Sequence, residues 1–514
     1  MTSKLIGFTI SKKKIDHEVD FFNVGFSHKS FFKNGYYIKI WGINNIDECI
    51  IDKKYFFSFP LNDNLLDRNI KLEIVKNKII IENDFLGSIP IYYNLNEEII
   101  STLPKVCNLN NEISEEGLKT FLNTGFSVFG KTIFKDTEFL RYFSKIIVRD
   151  GFKISSKKDP FDKLDLKKIE DPNISLNLIK KAISNVENQT NEKIVIPTSG
   201  GYDSRLLNIM VDDKKRIEAY SYGISKQPKK SREAVYAKKI TSILNIKWDL
   251  IEIKNISSHI KMWNKIFGFS THLHGMYHID FYLKILNKIK GSRVLLSGIV
   301  GDLWAGSISF NKEIFNLSDI TYSHQVKYSK SKAIKITDLN ISKYKTSKPE
   351  IVALIRNKLI LLNYLITIPE YLGIPSYSPF LNFEIIKSMI SIDFKLKRKR
   401  KWQQDFFKKN NLFIEDLNLK STKSNYLDYL SIIKDPYEKI NIKLVNHLFN
   451  EKVLININDT ICEKKFKYWD LFICKIFNSA YIGSVFRKLG LKSNIHLLYY
   501  DYLVIKSIEL NQSK

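Results

Sequence analysis

Lys193-Ile194-Val195-Ile196-Pro197 runs straight into Thr198-Ser199-Gly200-Gly201-Tyr202-Asp203-Ser204, and this junction decides the fold. The first five residues are a compact apolar run of strand length. Two glycines at a strand end let the backbone turn tightly enough for consecutive N–H groups to face a phosphate. A helix opening behind them adds partial positive charge. Ser199 and Ser204 can donate further hydrogen bonds, and Asp203 offers a carboxylate to a Mg2+ ion bridging phosphate oxygens. The bland alternative is a strand-to-helix turn rich in small residues; the alternation around the junction favours the phosphate.

Downstream, a helix starts at 205–211, a second strand runs over 217–222 and a helix with apolar residues at helical spacing over 232–244. Strands at 248–253 and 293–297 follow, with a helix at 281–289 between them. Such alternation implies a parallel sheet covered on both faces, with ligands at the carboxyl ends of its strands. Upstream, the first 155 residues are β-rich: runs at 36–41, 70–75, 78–82 and 89–93 are separated by Asn, Asp and Gly, which suggests two packed sheets. One helix at 115–123 and a last hairpin at 145–154, turning at Asp150-Gly151, complete that region. A polar stretch with Pro160 and Pro172 reads as a linker. Residues after about 426 are helix-like, aromatic and basic, without a legible motif.

The length of 514 residues favours two or three domains, and 44% hydrophobic with 26% charged residues is the mixture of a chain that buries large cores. The net charge of +27 raises the question of an anionic partner, although Lys is abundant throughout. Cys49, Cys107, Cys462 and Cys474 are too scattered for a disulfide framework or a zinc site. The N-terminus lacks the pattern of an export signal, so the expected location is cytoplasmic. The apolar segment 359–374 is interrupted by Asn363, Pro369 and Glu370, which predicts a buried helix and its exit, not a bilayer span.

Four stretches, in order, resemble the asparagine synthetase family. Ser199 to Ser204 is similar to its pyrophosphate-binding loop. Asp84-Phe85-Leu86-Gly87-Ser88-Ile89-Pro90-Ile91-Tyr92-Tyr93 resembles the Asp-x-x-Gly-x-x-Pro-Leu-Tyr-Tyr hairpin of the family's amidotransferase domain. The stretch from Ser297 to Gly306 resembles Ser-Gly-x-Gly-x-Asp-Glu-x-x-Gly-Gly, and Pro375 to Leu381 resembles Glu-x-Arg-Val-Pro-Phe-Leu with a basic helix start after it. The resemblance covers about residues 1 to 412. It implies an α/β protein: a degenerate class II amidotransferase-like domain of two β layers (1–155), a linker (156–175), a doubly wound ATP-pyrophosphatase domain (176–425) and a helical extension (426–514).

The resemblance also implies roles. ATP is bound by Ser199, Gly200, Gly201, Asp203, Ser204, Ser297 and Gly298; Asp203 and Asp302 share Mg2+; Lys401 stabilises charge on pyrophosphate, with Lys397, Arg398, Lys399 and Arg400 close enough to exchange roles with it. Glu233 matches a family helix start and equally suits a first-turn acid. Two departures matter. A glutaminase of this type needs an N-terminal cysteine, and Ser3 stands in its place, so ammonia release from glutamine is not expected. Ile299 replaces a Glu or Tyr that handles protons, and Leu303 replaces the acid beside Asp302. Candidate replacements are Glu370, Tyr371, Tyr377, His278 and Asp280. The cluster His272, His274, His278 invites a metal, but Gly275 argues against a settled helix, and packing or substrate contact is preferred.

The implied activity is an AMP-forming amide ligase that joins a small-molecule or peptide carboxylate to an amine in biosynthesis. Alternatives are an intramolecular cyclase of lasso-peptide or β-lactam type, and a tRNA-modifying enzyme. The charge would suit RNA, but no RNA-reading module is visible, which disfavours a nucleic-acid partner. A homodimer is left open.

Overall fold

The computed structural model describes residues 2–162, 167–224, 227–307, 350–421, 432–477, 485, 489 and 493–512. The boundary expected near 425 lies outside them.

The N-terminal region comprises the helix α1 (Glu115–Thr124) and two six-stranded antiparallel sheets. Besides the strands given below, the sheets contain β4 (Ile50–Ile51), β5 (Lys54–Phe56), β9 (Ile99–Ser101), β10 (Thr137–Phe139) and β12 (Phe152–Ser156). Their orders are β10-β8-β9-β1-β3-β2 and β12-β11-β7-β6-β5-β4. In the first, β1 (Lys4–Ser11) pairs with β3 (Tyr36–Ile43), which also pairs with β2 (Ser27–Lys33). In the second, β7 (Lys78–Asn83) lies between β6 (Ile70–Val75) and β11 (Ser144–Val148). Alternate residues of both sheets meet in one core: Phe8 and Ile10, Ile38 and Ile40, Ile70 and Leu72, Ile79 and Ile81, Ile146 and Val148. Burial of one face of each strand sets the register, because a one-residue slip would expose every one of these side chains.

The stretch expected as a strand over 89–93 is shorter and later: β8 is Tyr92–Asn94. Asp84 explains the difference. Its buried carboxylate accepts hydrogen bonds from Leu86 N (2.8 Å) and from Ser88 N (3.2 Å) and Oγ (2.7 Å), which curls 84–88 into a turn around Gly87 at φ +63°.

The second region is a five-stranded parallel sheet in the order β15-β14-β13-β16-β17. Its strands are β13 (Lys193–Pro197), β14 (Ile217–Gly223), β15 (Lys247–Glu252), β16 (Arg293–Leu296) and β17 (Ser376–Tyr377). The order reverses between β13 and β16, the switch point where open α/β sheets bind ligands. Both faces are covered. Ile194 and Ile196 pack with Ile179 of α2 (Asn173–Gln189), Leu206 and Leu207 of α3 (Tyr202–Met210) and Ile240 of α4 (Arg232–Ile243). Val195 faces the other way, into a cluster with Trp263 of α5 (Ile260–Phe267) and with Ile279 and Ile285 of α6 (Tyr277–Leu286). Helix α2 starts within the stretch read as linker.

Glu350–Leu362 and Tyr364–Tyr371 form a helix pair over the apolar segment seen in the sequence. Ile351–Tyr371 is long and apolar enough to cross a membrane by length and composition, and 72% of its most apolar window is buried inside the protein.

Candidate functional site

At the end of β13 the chain turns through Gly200, in the left-handed region at φ +77°, into α3. A Cβ on Gly200 would stand 2.5 Å from Tyr236 Cβ, so the position has no room for a side chain. Arg205 locks the turn from behind. Its buried guanidinium donates to Gly200 O (2.8 Å), Leu412 O (2.9 Å) and both oxygens of Glu415 (2.8 and 3.0 Å), and stacks between Tyr202 and Phe407.

The end of β16 meets this turn. Ser297 N donates to Tyr377 O (2.8 Å), and Gly301 N to Gly298 O (3.2 Å). The tight loop brings Gly298 and Gly301 so close to Asp203 that a Cβ on either would lie 3.2 or 3.1 Å from its side chain. Val300, between them, sits at φ +55°, a strained backbone for a β-branched residue. It occupies the second glycine of the resembled motif.

Asp302 is thereby delivered beside Asp203, and Ser307 Oγ donates to it (3.2 Å). Burial pushes the Asp203 carboxyl up to about 6; Arg400 opposes that shift and the like charge of Asp302 adds to it.

The cation that reaches the pair is Arg400. Its guanidinium donates to Asp203 Oδ1 and to Gln403 Oε1 (2.6 Å) and lies over the Tyr202 ring. Lys401, the residue expected there, is ion-paired with Asp405 one helical turn on and is more than half exposed. The physical reason is local: Lys399 and Arg400 both take left-handed φ, +54° and +58°, before the helix Lys401–Lys409. Two such residues redirect the side chains, so the neighbour of the expected lysine points inward.

Beside the two aspartates lies a cavity of about 460 Å3, a volume suited to a nucleotide-sized or drug-sized ligand, which Arg400 does not itself line. Ser199, Gly201, Asp203, Ser204, Ser297, Gly298 and Asp302 line it; Gly200 does not, and serves the turn instead. Glu233 lines it too. The other walls had no local signal in the sequence: Tyr220 to Tyr222 from β14, Tyr277 and Tyr282 from α6, and Lys358, Leu362, Tyr364 and Leu365 from the helix pair.

Ile299 and Leu303 both line the cavity, so an apolar wall stands where a proton-handling side chain was sought. Of the proposed replacements only His278 lines it. Glu370 is held by Arg68 (2.8 and 3.0 Å) and Lys4 (3.3 Å), and Asp280 by Lys284 (2.6 Å) and Lys254 N (2.9 Å). Tyr371 stacks on Phe21, and Tyr377 is buried in the sheet. His278 lies among the rings of Tyr222, Tyr277, Phe281, Tyr282 and Tyr364. Burial lowers it to about 3, so it is a neutral imidazole at physiological pH. His272 and His274 stack on each other at 4.5 Å, and no group of three or more His, Cys, Asp or Glu among the described residues is arranged to hold a metal.

Ser3, at the presumed nucleophile position, donates to Glu48 (2.7 Å). The cavity at the junction of the two regions, between Ile6, Arg68, Tyr92, Phe267 and Tyr371, is only about 40 Å3.

No protein-family model and no curated protein matches the chain. Among solved structures, an NH3-dependent NAD synthetase from Campylobacter jejuni in complex with nitrate is similar over 38% of this chain and 96% of its own, at 16% identity and TM-score 0.22. A glutamine-dependent NAD synthetase from Acinetobacter baumannii with ADP is similar over 45% of this chain and 49% of its own, at 13% identity and TM-score 0.20. The chain thus spans about half the length of the Acinetobacter enzyme. The likeness covers only part of the chain, and the α/β assignment rests on the strand order described above.

Proposed function

We propose that the protein is an ATP-dependent, AMP-forming amide ligase of the asparagine synthetase type, which adenylates a substrate carboxylate and passes the acyl group to an amine without drawing on glutamine. One observation carries the reading: Asp203 and Asp302 lie side by side beyond the ends of neighbouring parallel strands and line the cavity, with Arg400 bonded to Asp203. The donor set suits Mg2+, which prefers hard carboxylate oxygens and usually takes only one or two of them alongside phosphate oxygens. The raised Asp203 carboxyl is consistent with this, since burial withdraws its charge from water and Asp302 adds a like charge beside it. When bound, Mg2+ would neutralise and orient the triphosphate oxygens.

The chain's own residues then divide the work. The bare backbone at Gly201 and the N-terminus of α3 face the phosphates. A carboxylate oxygen of the substrate bonds to the α-phosphorus as the bond to pyrophosphate breaks, and Arg400 stabilises the charge that develops on the leaving group. The amine nitrogen next bonds to the acyl carbon, AMP leaves, and the nitrogen gives up a proton. Ile299 and Leu303 cannot accept that proton.

Independence from glutamine is supported by the hydrogen-bonded Ser3 and by the thiols. Burial raises Cys49, Cys462 and Cys474 to about 11 and Cys107 further still, so none is a ready thiolate. On this reading the two antiparallel sheets are an amidotransferase-type domain without its chemistry.

Exchange of labelled pyrophosphate into ATP, measured across a panel of carboxylic acids, tests the proposal. At least one acid class should raise exchange above background with AMP as the nucleotide product; ADP as the product, or background rates with every class, would overturn it. In the same assay Arg400→Ala should lose about 100-fold, the scale seen when one charge-stabilising donor is removed, while Lys401→Ala stays within about twofold.

A further inference from the structure

The C-terminal part carries an apolar surface that the site does not use. Helix Tyr468–Phe477 turns Tyr468, Trp469, Phe472 and Ile473 outward; the first two are 77% and 69% exposed. Positions i, i+1, i+4 and i+5 form one stripe along a helix. Its rings touch one another edge to face, Tyr468 to Trp469 at 5.8 Å and Trp469 to Phe472 at 6.0 Å. The opposite side is anchored: Cys474 is buried, with its sulfur 3.7 Å from His496 Nδ1 of the helix Asn494–Gln512. The helix is therefore fixed to the body with its aromatic stripe facing away.

The sequence around the stripe is strongly basic. From Lys464 to Lys492 there are seven Lys or Arg and one acid, Asp470. Lys467 and Lys475 are exposed, while Lys465, also exposed, is ion-paired with Glu463 and Asp459. Trp and Tyr beside apolar side chains, flanked by lysines, match the headgroup region of a bilayer: the rings bury in the boundary layer while the cations meet anionic lipid. A second copy of the chain would bring the same positive charge against itself, on a protein of +27. Single-stranded nucleic acid is bound by cations interleaved with stacking rings, whereas this stripe is continuous and includes the aliphatic Ile473.

We infer that the face of Tyr468–Phe477 docks the protein on an anionic membrane surface, with Trp469 and Phe472 as the inserted side chains. The test is co-sedimentation of the intact protein with vesicles of phosphatidylcholine alone and of equal parts phosphatidylcholine and phosphatidylglycerol. Binding to the anionic vesicles should be at least tenfold tighter and should weaken with salt. The double variant Trp469→Ala/Phe472→Ala and the charge variant Lys467→Glu/Lys475→Glu should each lose at least tenfold. Both should melt within a few degrees of the native protein and bind ATP as it does.

Equal binding to both vesicle types, or variants that sediment like the native protein, would overturn the inference. So would a doubling of mass in light scattering that Trp469→Ala/Phe472→Ala abolishes, which would make the stripe a contact between copies. RNA binding lost in both variants, with no sedimentation on vesicles, would overturn it in favour of nucleic acid.

Discussion

Asp203→Asn is expected to lower ATP–pyrophosphate exchange at least a thousandfold and, in the same protein, to raise the melting temperature by a few degrees. The two effects share a cause. The Asp203 carboxylate is mostly withdrawn from water, stands beside Asp302 and is only partly balanced by Arg400, and its carboxyl is raised from 3.8 to about 6. A raised acid binds its proton more tightly in the folded than in the unfolded chain. Its penalty is therefore absent below about pH 4, grows as pH rises through about 6, and is complete at neutral pH. Two units correspond to roughly 3 kcal/mol. The amide removes that penalty together with the charge proposed to hold Mg2+, the familiar trade between stability and activity at a functional site. Thermal melts from pH 4 to 8 check the sign: the variant's advantage should be largest at pH 7 to 8 and vanish near pH 4. A variant that is destabilised at pH 7, or active, contradicts the account of this pair.

Glu370→Ala should destabilise the protein by about 3–5 kcal/mol with little change in the turnover of the folded fraction. Glu370 sits on the helix Tyr364–Tyr371 and reaches across to the N-terminal sheets, where it holds Arg68 with two hydrogen bonds and Lys4 at 3.3 Å, all three nearly excluded from water. Removing the acid strands two buried cations, and breaking a buried pair from one side costs on this scale. Lys4 is already lowered to about 8 by burial, so it can shed its proton as pH rises and relieve part of the stranded positive charge. The loss should therefore be greater at pH 7 than at pH 9. Urea melts at both pH values measure it, and Glu370→Gln, which keeps the shape and an acceptor, should fall between the variant and the native protein.

Strands β13 to β16 were legible because each is a short apolar run bounded by turn residues, and the Ser-Gly-Gly turn announces which end carries the ligand. β17 was not: two residues are too few to show alternation, and Ser376 and Tyr377 join the sheet only through β16. Asp203 and Asp302 were proposed as a pair because their two loops resemble the family's motifs and each follows a strand end. The identity of the cation could not. Lys399 and Arg400 in left-handed conformation reverse the direction of the side chains within the run of five basic residues from Lys397 to Lys401, and no periodicity encodes that. The Arg205–Glu415 and Arg68–Glu370 clasps join residues 210 and 302 positions apart, and the helix pair that brings Lys358 and Tyr364 to the cavity is equally remote from the loop it faces. Such contacts exist only once segments far apart in the sequence have packed. Ile299 signalled that the proton-handling side chain of the resembled motif is missing; that it and Leu303 line the cavity could not be read from the sequence.

On the proposed function, ATP binds in a metal-dependent site built on Asp203 and Asp302. Calorimetric titration of ATP into the native protein and into Asp203→Asn, each with and without Mg2+, separates this from metal-independent binding. Saturable binding to the native protein should be strengthened at least tenfold by Mg2+, and Asp203→Asn should lose that Mg2+ enhancement. Equal affinity with and without Mg2+, or an enhancement that survives the substitution, would rule the site out.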